Sequence, residues 1–449
     1  MKTIRRNSHW TPKMIPALLA LSLLSYVGSS GTIVDAQSVS KYEIQRGREM
    51  LGIVKSDIQK SYYDTTFRGI DIDTVFKNAD EMIRKADSNG QIFGIIASVV
   101  IGFNDSHLFF IPPSRNSRVE YGWQMQMIGG DCYVVAVQPG SDAEAKGLRE
   151  GDRVQLVEEM KPTRTDFWKI QYLLNALRPR PALGVIVNSP GNARRQLELA
   201  ARIREGQRIT DLTDYNEFMR LMLEEEKDAR LRRHRYLEMG DDLFIWKMPQ
   251  FDMPKEKVDD MVDKFKNRKA VIIDLRGNGG GYEETLLRLI GSFLPADAKV
   301  GDLTRRKEAK PLIAKTAGGR VYNGKLVVLV DSESGSSSEL FARLMQLEKR
   351  GTVIGDRTAG AVMRAKQYSH QVGVDTVAFY AVSVTDGDLI MTDGKSLEGQ
   401  GVIPDEFLLP TPADLAAKRD PVLARAMSLL GMNVSPEKAG ALFPTEWRK

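Results

Sequence analysis

Cysteine is almost absent. Cys132 stands alone in 449 residues, so no disulfide can close within the chain and stability has to come from a large apolar core. Histidine is nearly as scarce. His9, His107, His234 and His370 are widely separated, and neither HExxH nor CxxC occurs, so no zinc site is expected. An excess of one charge is missing too. The chain has 64 Lys and Arg against 59 Asp and Glu, and four of the basic residues fall within the first thirteen. No stripe of Lys and Arg with interleaved aromatics is present, which leaves nucleic-acid binding without support. The one basic cluster, Arg230 to Arg235, follows Glu224, Glu225, Glu226 and Asp228 and reads as a solvated helix face.

Long apolar runs are also lacking, since crossing a bilayer takes roughly 20 residues. Met14 to Val27 is mostly apolar over about 14 residues, a length that suits a secretory h-region. Lys2, Arg5, Arg6 and Lys13 precede it, and Val34-Asp35-Ala36 supplies small residues before Gln37. The arrangement predicts a signal peptide over 1–36 and a secreted or periplasmic product, with no stable membrane insertion after cleavage. Cys132 is too distant to serve as a lipid anchor there.

What is present divides into three textures. Residues 37–115 read as a helical unit. Met50, Leu51, Val54 and Ile58 recur at helical spacing, and the dense apolar run Ile92 to Phe103 ends in the polar break Asn104-Asp105-Ser106-His107. Residues 116–203 are short β-like runs separated by turns, with a helix from Trp168 to Leu177. Residues 204–449 alternate strand, turn and helix, as a layered α/β core does. A charged helix is expected from Tyr215 to Leu237, with His234 solvated on it and His370 on a strand surface.

Two turns stand out. Asp331-Ser332-Glu333-Ser334-Gly335-Ser336-Ser337-Ser338-Glu339 follows an apolar strand and opens a helix, where unpaired N–H groups favour an oxyanion. A serine-rich helix start is also what an ordinary N-cap looks like. Asp274 to Gly281 is a glycine turn one strand earlier. It fails the dinucleotide GxGxxG pattern at Tyr282 and has no Gly-Lys-Ser/Thr.

Taken together these stretches resemble the carboxy-terminal-processing (tail-specific) serine protease family, in the branch that includes the tricorn protease core. The family's Ser-x-Ser-Glu segment matches Ser336 to Glu339, its Gly-Glu-x-Thr-x-Gly segment is similar to Gly355 to Gly360, and its Gly-x-Gly-Val/Ile-x-Pro-Asp ending matches Gly399 to Asp405. The resemblance implies Ser336 as nucleophile, no metal or cofactor, and a ClpP/crotonase-like ββα-spiral α/β core. One departure is clear. The lysine of the usual Ser/Lys dyad is replaced by Ala361, and Lys366 is the next lysine along. The tricorn-like branch uses histidine, and Ser106-His107 with Glu398 resembles its set. The implied relay runs from Glu398 through Ser106 and His107 to Ser336, with the N–H groups of Gly280 and Ser337 as the oxyanion hole. The middle unit resembles a PDZ domain, with Tyr121-Gly122-Trp123-Gln124 where the carboxylate-binding loop belongs. Such a module would take extended peptides with free C-terminal tails by strand addition.

The expected function is therefore an exported serine endopeptidase acting on protein substrates near their C-termini. Two alternatives remain open: a Ser/Lys peptidase using Lys366, or a non-catalytic peptide or small apolar ligand carrier, as vertebrate retinoid-binding modules resembling this family are. Oligomeric state is not legible.

Overall fold

In the computed structural model of the protein, residues 39–113, 117–191, 193–205, 231, 233–373 and 377–447 are described. The expected leader 1–36 and most of the expected helix 215–237 lie outside them.

The apolar strands of the C-terminal half build a six-stranded sheet in the order Glu406–Phe407, Thr352–Gly355, Lys325–Val330, Ala270–Asp274, Leu243–Lys247, Arg235–Met239. All neighbours are parallel except the last pair. Alternate residues face opposite sides, and both sides are apolar. Phe244, Trp246, Val271, Ile273, Val328 and Val330 join one core with the helices Lys255–Phe265, Glu283–Gly291 and Ser337–Leu347. Leu243, Ile245, Ile272, Val327, Leu329 and Ile354 face Pro421–Leu429 and Pro436–Gly440. The expected charged helix does not extend through 237. Arg235–Met239 is instead the antiparallel edge strand, because Tyr236 stacks on the buried Phe244 at 5.2 Å.

A second sheet is organised around the long strand Ala378–Met391. It pairs with Phe109–Ile111, Ala298–Thr304 and Arg364–Val372. The N-terminal helices Lys41–Ser61, Ile72–Ile83 and Asn89–Ile101 lie on it. Their buried residues, among them Ile58, Ile92 and Ile96, share one core with Val372, Tyr380, Val382 and Val384. Ser40 and Glu43 close a capping box at the first helix, and Ser88 caps the third. The helices thus hold the segment around residue 106 against a strand nearly 280 residues further on.

The β-rich stretch forms a third, antiparallel sheet in the order Trp123–Ile128, Asp131–Val137, Arg153–Val157, Ala182–Asn188, Arg194–Ala200. It has its own core, which includes Met127, Val134, Leu174 and Val185. The helix Phe167–Tyr172 continues into a π-turn, Leu173–Leu177. This unit docks on the loops of the six-stranded sheet. Gln126 donates to Asp331 at 2.6 Å, Ser332 donates to the Met127 carbonyl, and Arg164 pairs with Asp356.

Ile58 is fully buried where the first helix meets the Ala378–Met391 strand. Ile58→Ala should cost about 2–5 kcal/mol in urea unfolding. It should also speed amide exchange at Ser106 and His107. A change in neither would show that the helices do not anchor that segment.

Candidate active site

After the Lys325–Val330 strand the chain turns sharply, and Asp331 shapes the turn. Its Oδ1 accepts from the N–H groups of Gly277, Glu333 and Ser334 at 3.0 Å each. Ser334 Oγ in turn donates to the Leu275 carbonyl at 2.8 Å, tying the serine turn to the glycine turn. Ser336 follows with φ 51 and ψ −118, a conformation that costs a residue with a side chain on the order of 1–3 kcal/mol. Glu339 holds it there. Fully buried, its carboxylate accepts from Ser336 N at 3.0 Å, Ala361 N at 2.9 Å, Gly360 N at 2.7 Å and Thr358 Oγ1 at 2.5 Å. Burial pushes the Glu339 carboxyl up to about 7, against these four hydrogen bonds, which favour the charge.

On the other side, helix Asn89–Ile101 ends and Asn104 turns through φ 50. Asp105 is then buried, accepting from Tyr62 Oη at 2.9 Å, Thr385 Oγ1 at 2.6 Å and His107 N at 3.0 Å. The next two side chains form a line. Ser106 Oγ donates to Glu398 Oε2 at 3.0 Å and lies 2.8 Å from His107 Nδ1. Ser106 has one hydroxyl proton and gives it to the carboxylate, so Nδ1 is the donor to Ser106 and Nε2 keeps its lone pair. Burial holds the His107 pKa below its usual value, while the nearby Asp105 acts the other way. Burial raises the Glu398 carboxyl, opposed by the hydrogen bonds from Val362 N and Ser106.

The two halves meet through residues 361 and 362. Ser336 N donates to the Ala361 carbonyl at 2.7 Å, and Val362 N donates to Glu398 Oε2 at 3.0 Å. Ser336, His107, Ser106 and Glu398 are thus brought into one neighbourhood. Among the described residues, no hydrogen bond joins Ser336 Oγ to His107. Gly280 abuts the serine: at φ 102, a Cβ there would lie 2.6 Å from Ser336 Cβ. Its N–H, expected to be open for an oxyanion, instead donates to Asn278 Oδ1 at 2.8 Å. The N–H of Ser337 makes no hydrogen bond among the described residues.

Lys366 is not brought to this place. It is exposed on the Arg364–Val372 strand, its ammonium 5.4 Å from the Tyr368 ring. Two other histidines have partners that the sequence did not suggest. His234 lies outside a helix, with Nε2 2.9 Å from Asp252 and Nδ1 accepting from Trp246 at 3.1 Å. His370 is on a strand, but its ring meets Asp57 at 2.6 Å rather than solvent alone. Of the expected carboxylate loop, Tyr121, Trp123 and Gln124 line a cavity of about 340 Å³, which Gln171, Leu174 and Asn175 also line. Gly122 does not line it. That glycine makes the tight turn at φ 70, accepting from Gln138 N. Asp105, Glu339 and Asn278 were not assigned roles from sequence. The one signal for them is position: Asp105 precedes the Ser-His pair, and Glu339 stands three residues after Ser336, as in a capping box.

Residues 245–407 match the family model described as Peptidase family S41. The chain is similar to the tail-specific protease of Haemophilus influenzae, 25% identical over 318 residues that make up 67% of this chain and 43% of that one. It is also similar to tricorn protease homolog 2 of Streptomyces coelicolor, 32% identical over 163 residues, 36% of this chain and 13% of that one. The chain therefore spans less than half the length of these two curated relatives. Among solved structures, mature CPAF superposes with a TM-score of 0.62 at 14% identity, over 83% of this chain and 94% of that one. The family model matched over residues 245–407 is the one expected from the motifs, and the mixed α/β fold is shared with mature CPAF.

Two predictions follow from the geometry. Histidine-labelled NMR, with His107→Ala for assignment, should find the His107 ring as the Nδ1–H tautomer. Because its pKa is depressed, it should stay neutral as pH falls and titrate below 6.5. A midpoint above that value, or the opposite tautomer, would contradict the line of hydrogen bonds. Glu339→Ala strips the acceptor from four donors and should destabilise the fold by on the order of 3 kcal/mol in urea unfolding; a loss under about 0.5 kcal/mol would remove its anchoring role.

Proposed function

We propose that this chain is an exported serine endopeptidase that cleaves protein substrates near their C-terminal tails by a Ser-His mechanism. The observation that supports this most is the line Glu398–Ser106–His107, assembled across 292 residues of sequence beside Ser336. A carrier would have no use for an imidazole whose pKa is lowered by burial and whose Nε2 has no hydrogen-bond partner among the described residues.

In this reading His107 Nε2 takes the proton of Ser336 Oγ as that oxygen attacks the scissile carbonyl carbon. The carbonyl π pair moves onto oxygen, which the Ser337 N–H at the helix start stabilises, joined by the Gly280 N–H once Asn278 releases it. The imidazolium then gives its proton to the departing amine as the C–N bond breaks. Water, deprotonated by the same ring, hydrolyses the ester and restores Ser336. Glu398 acts through Ser106, favouring the tautomer and the imidazolium that forms. The Ser336–His107 hydrogen bond would close on substrate binding, as catalytic contacts in free enzymes are often loose. The β-rich unit, read as PDZ-like, would supply the tail-binding groove through the start of its edge strand, Trp123 to Met125, ahead of the residues that dock on the core. The signal peptide expected over 1–36 would deliver the enzyme across the membrane.

The test gives unfolded casein and peptides with free C-termini to the wild type and its variants, each checked for folding. Ser336→Ala and His107→Ala should each lower kcat by on the order of 10⁶. Ser106→Ala, which leaves the imidazole in place, should lower it less. Wild-type protein that cleaves nothing, or cleavage that survives Ser336→Ala, would refute the reading.

A further inference from the structure

The cavity beside the edge strand carries a feature that a plain tail-binding groove does not need. Part of its wall is not from the β-rich unit at all. Glu333, from the turn that leads to Ser336, lines the 340 Å³ cavity and also a second one of about 730 Å³ between that unit and the core. The two cavities share Gln124, Val135 and Glu333, so the carboxyl stands at their junction.

Its electrostatic surroundings are lopsided. Among the described residues no cation pairs with Glu333. The two cations of the larger cavity nearest in sequence to the glycine turn, Lys247 and Arg276, are both committed to Asp274, at 3.1 and 2.8 Å. Facing Glu333 are Asp331 on its own turn, the Cys132 thiol from the neighbouring strand, and the neutral amide of Gln171 from the helix. Asp331 itself is already occupied by Gln126 and by three backbone N–H groups. Burial and the Asp331 charge push the Glu333 carboxyl up to about 7, so the acid is held at a cost that an incoming cation would relieve. A substrate carboxylate at this point would meet like charge.

We propose that this groove selects extended peptides bearing a lysine or arginine side chain, whose cationic head is received by Glu333 while the backbone runs along Trp123 to Met125. The apolar walls Trp123, Met125, Leu174 and Leu183 suit the methylene stem of such a side chain, and among the described residues Glu333 supplies the one carboxyl in the lining. This rests on the reading of the β-rich unit as a peptide-binding module, and it adds the class of residue recognised.

The test uses full-length protein carrying Ser336→Ala, so that binding is read without cleavage. Fluorescent peptides with acetylated N-termini, identical except for lysine or leucine at one position in turn, are titrated at about pH 8, where the carboxyl is charged. At one position the lysine peptide should bind about tenfold more tightly than its leucine twin. Glu333→Gln, close in shape, should shrink that preference below about twofold and leave the leucine peptide unchanged, while Glu333→Lys should reverse it toward a glutamate peptide. Equal affinities at every position, no binding by any peptide, or a lysine preference that survives Glu333→Gln would overturn the proposal. Selective binding by a chain whose wild type cleaves no casein would refute the peptidase reading alone.

Discussion

Glu398 is the point through which three distant segments are tied. Its two oxygens accept from the backbone and hydroxyl of Ser106 and from the backbone of Val362, so one carboxylate fixes the end of an N-terminal helix, the segment beside the serine turn, and its own loop. The cost of desolvating that carboxylate is offset only if all three donors arrive together. This makes the site sensitive to packing far from it. The helices Lys41–Ser61 and Asn89–Ile101 share a core with Val382 and Val384, and Thr385, next along that strand, bonds Asp105 beside the Ser106-His107 pair. Core packing, rather than the loop's own preferences, thus positions the proposed base.

The serine side is built on a second buried carboxylate. Ser336 sits in backbone geometry that a side chain resists, and Glu339 answers by collecting Ser336 N, Ala361 N, Gly360 N and Thr358 Oγ1. Ala361 stands where the motif resemblance leads one to expect a lysine. Its backbone joins the serine turn to the Glu398 side, and its short side chain supplies no base. The proposed chemistry then rests on His107, whose burial favours the neutral ring and whose Nδ1 contact with Ser106 leaves Nε2 on the side away from Glu398.

Contiguous features were the most legible in the sequence. The two turns at 274–281 and 331–339 follow apolar strands, and period and glycine content locate both. Ser106, His107 and Glu398 were found through family resemblance, since nothing in local pattern joins residue 107 to residue 398. The failures have physical causes. The charged run ending near Leu237 looks helical by charge alternation, yet stacking of Tyr236 on Phe244 draws Arg235–Met239 into the sheet. His234 reads as solvated because pattern does not reveal that Trp246 and Asp252 flank it. The glycine turn shows where a backbone N–H comes close, but not that the Asn278 side chain folds back to take the Gly280 proton. Asp105 looks like part of a polar break, although Tyr62 and Thr385, from two distant elements, bond it where it is buried.

The central claim is that Ser336 is a nucleophile activated by His107 and not by a lysine. A fluorophosphonate probe measures this directly, because it captures an activated serine without needing the natural substrate. Peptide mapping of the wild type should place the phosphonyl adduct on Ser336. The labelling rate should fall by on the order of 10³ or more in His107→Ala and stay unchanged in Lys366→Ala. An adduct on a different serine, or a rate that depends on Lys366 and not on His107, would contradict the account.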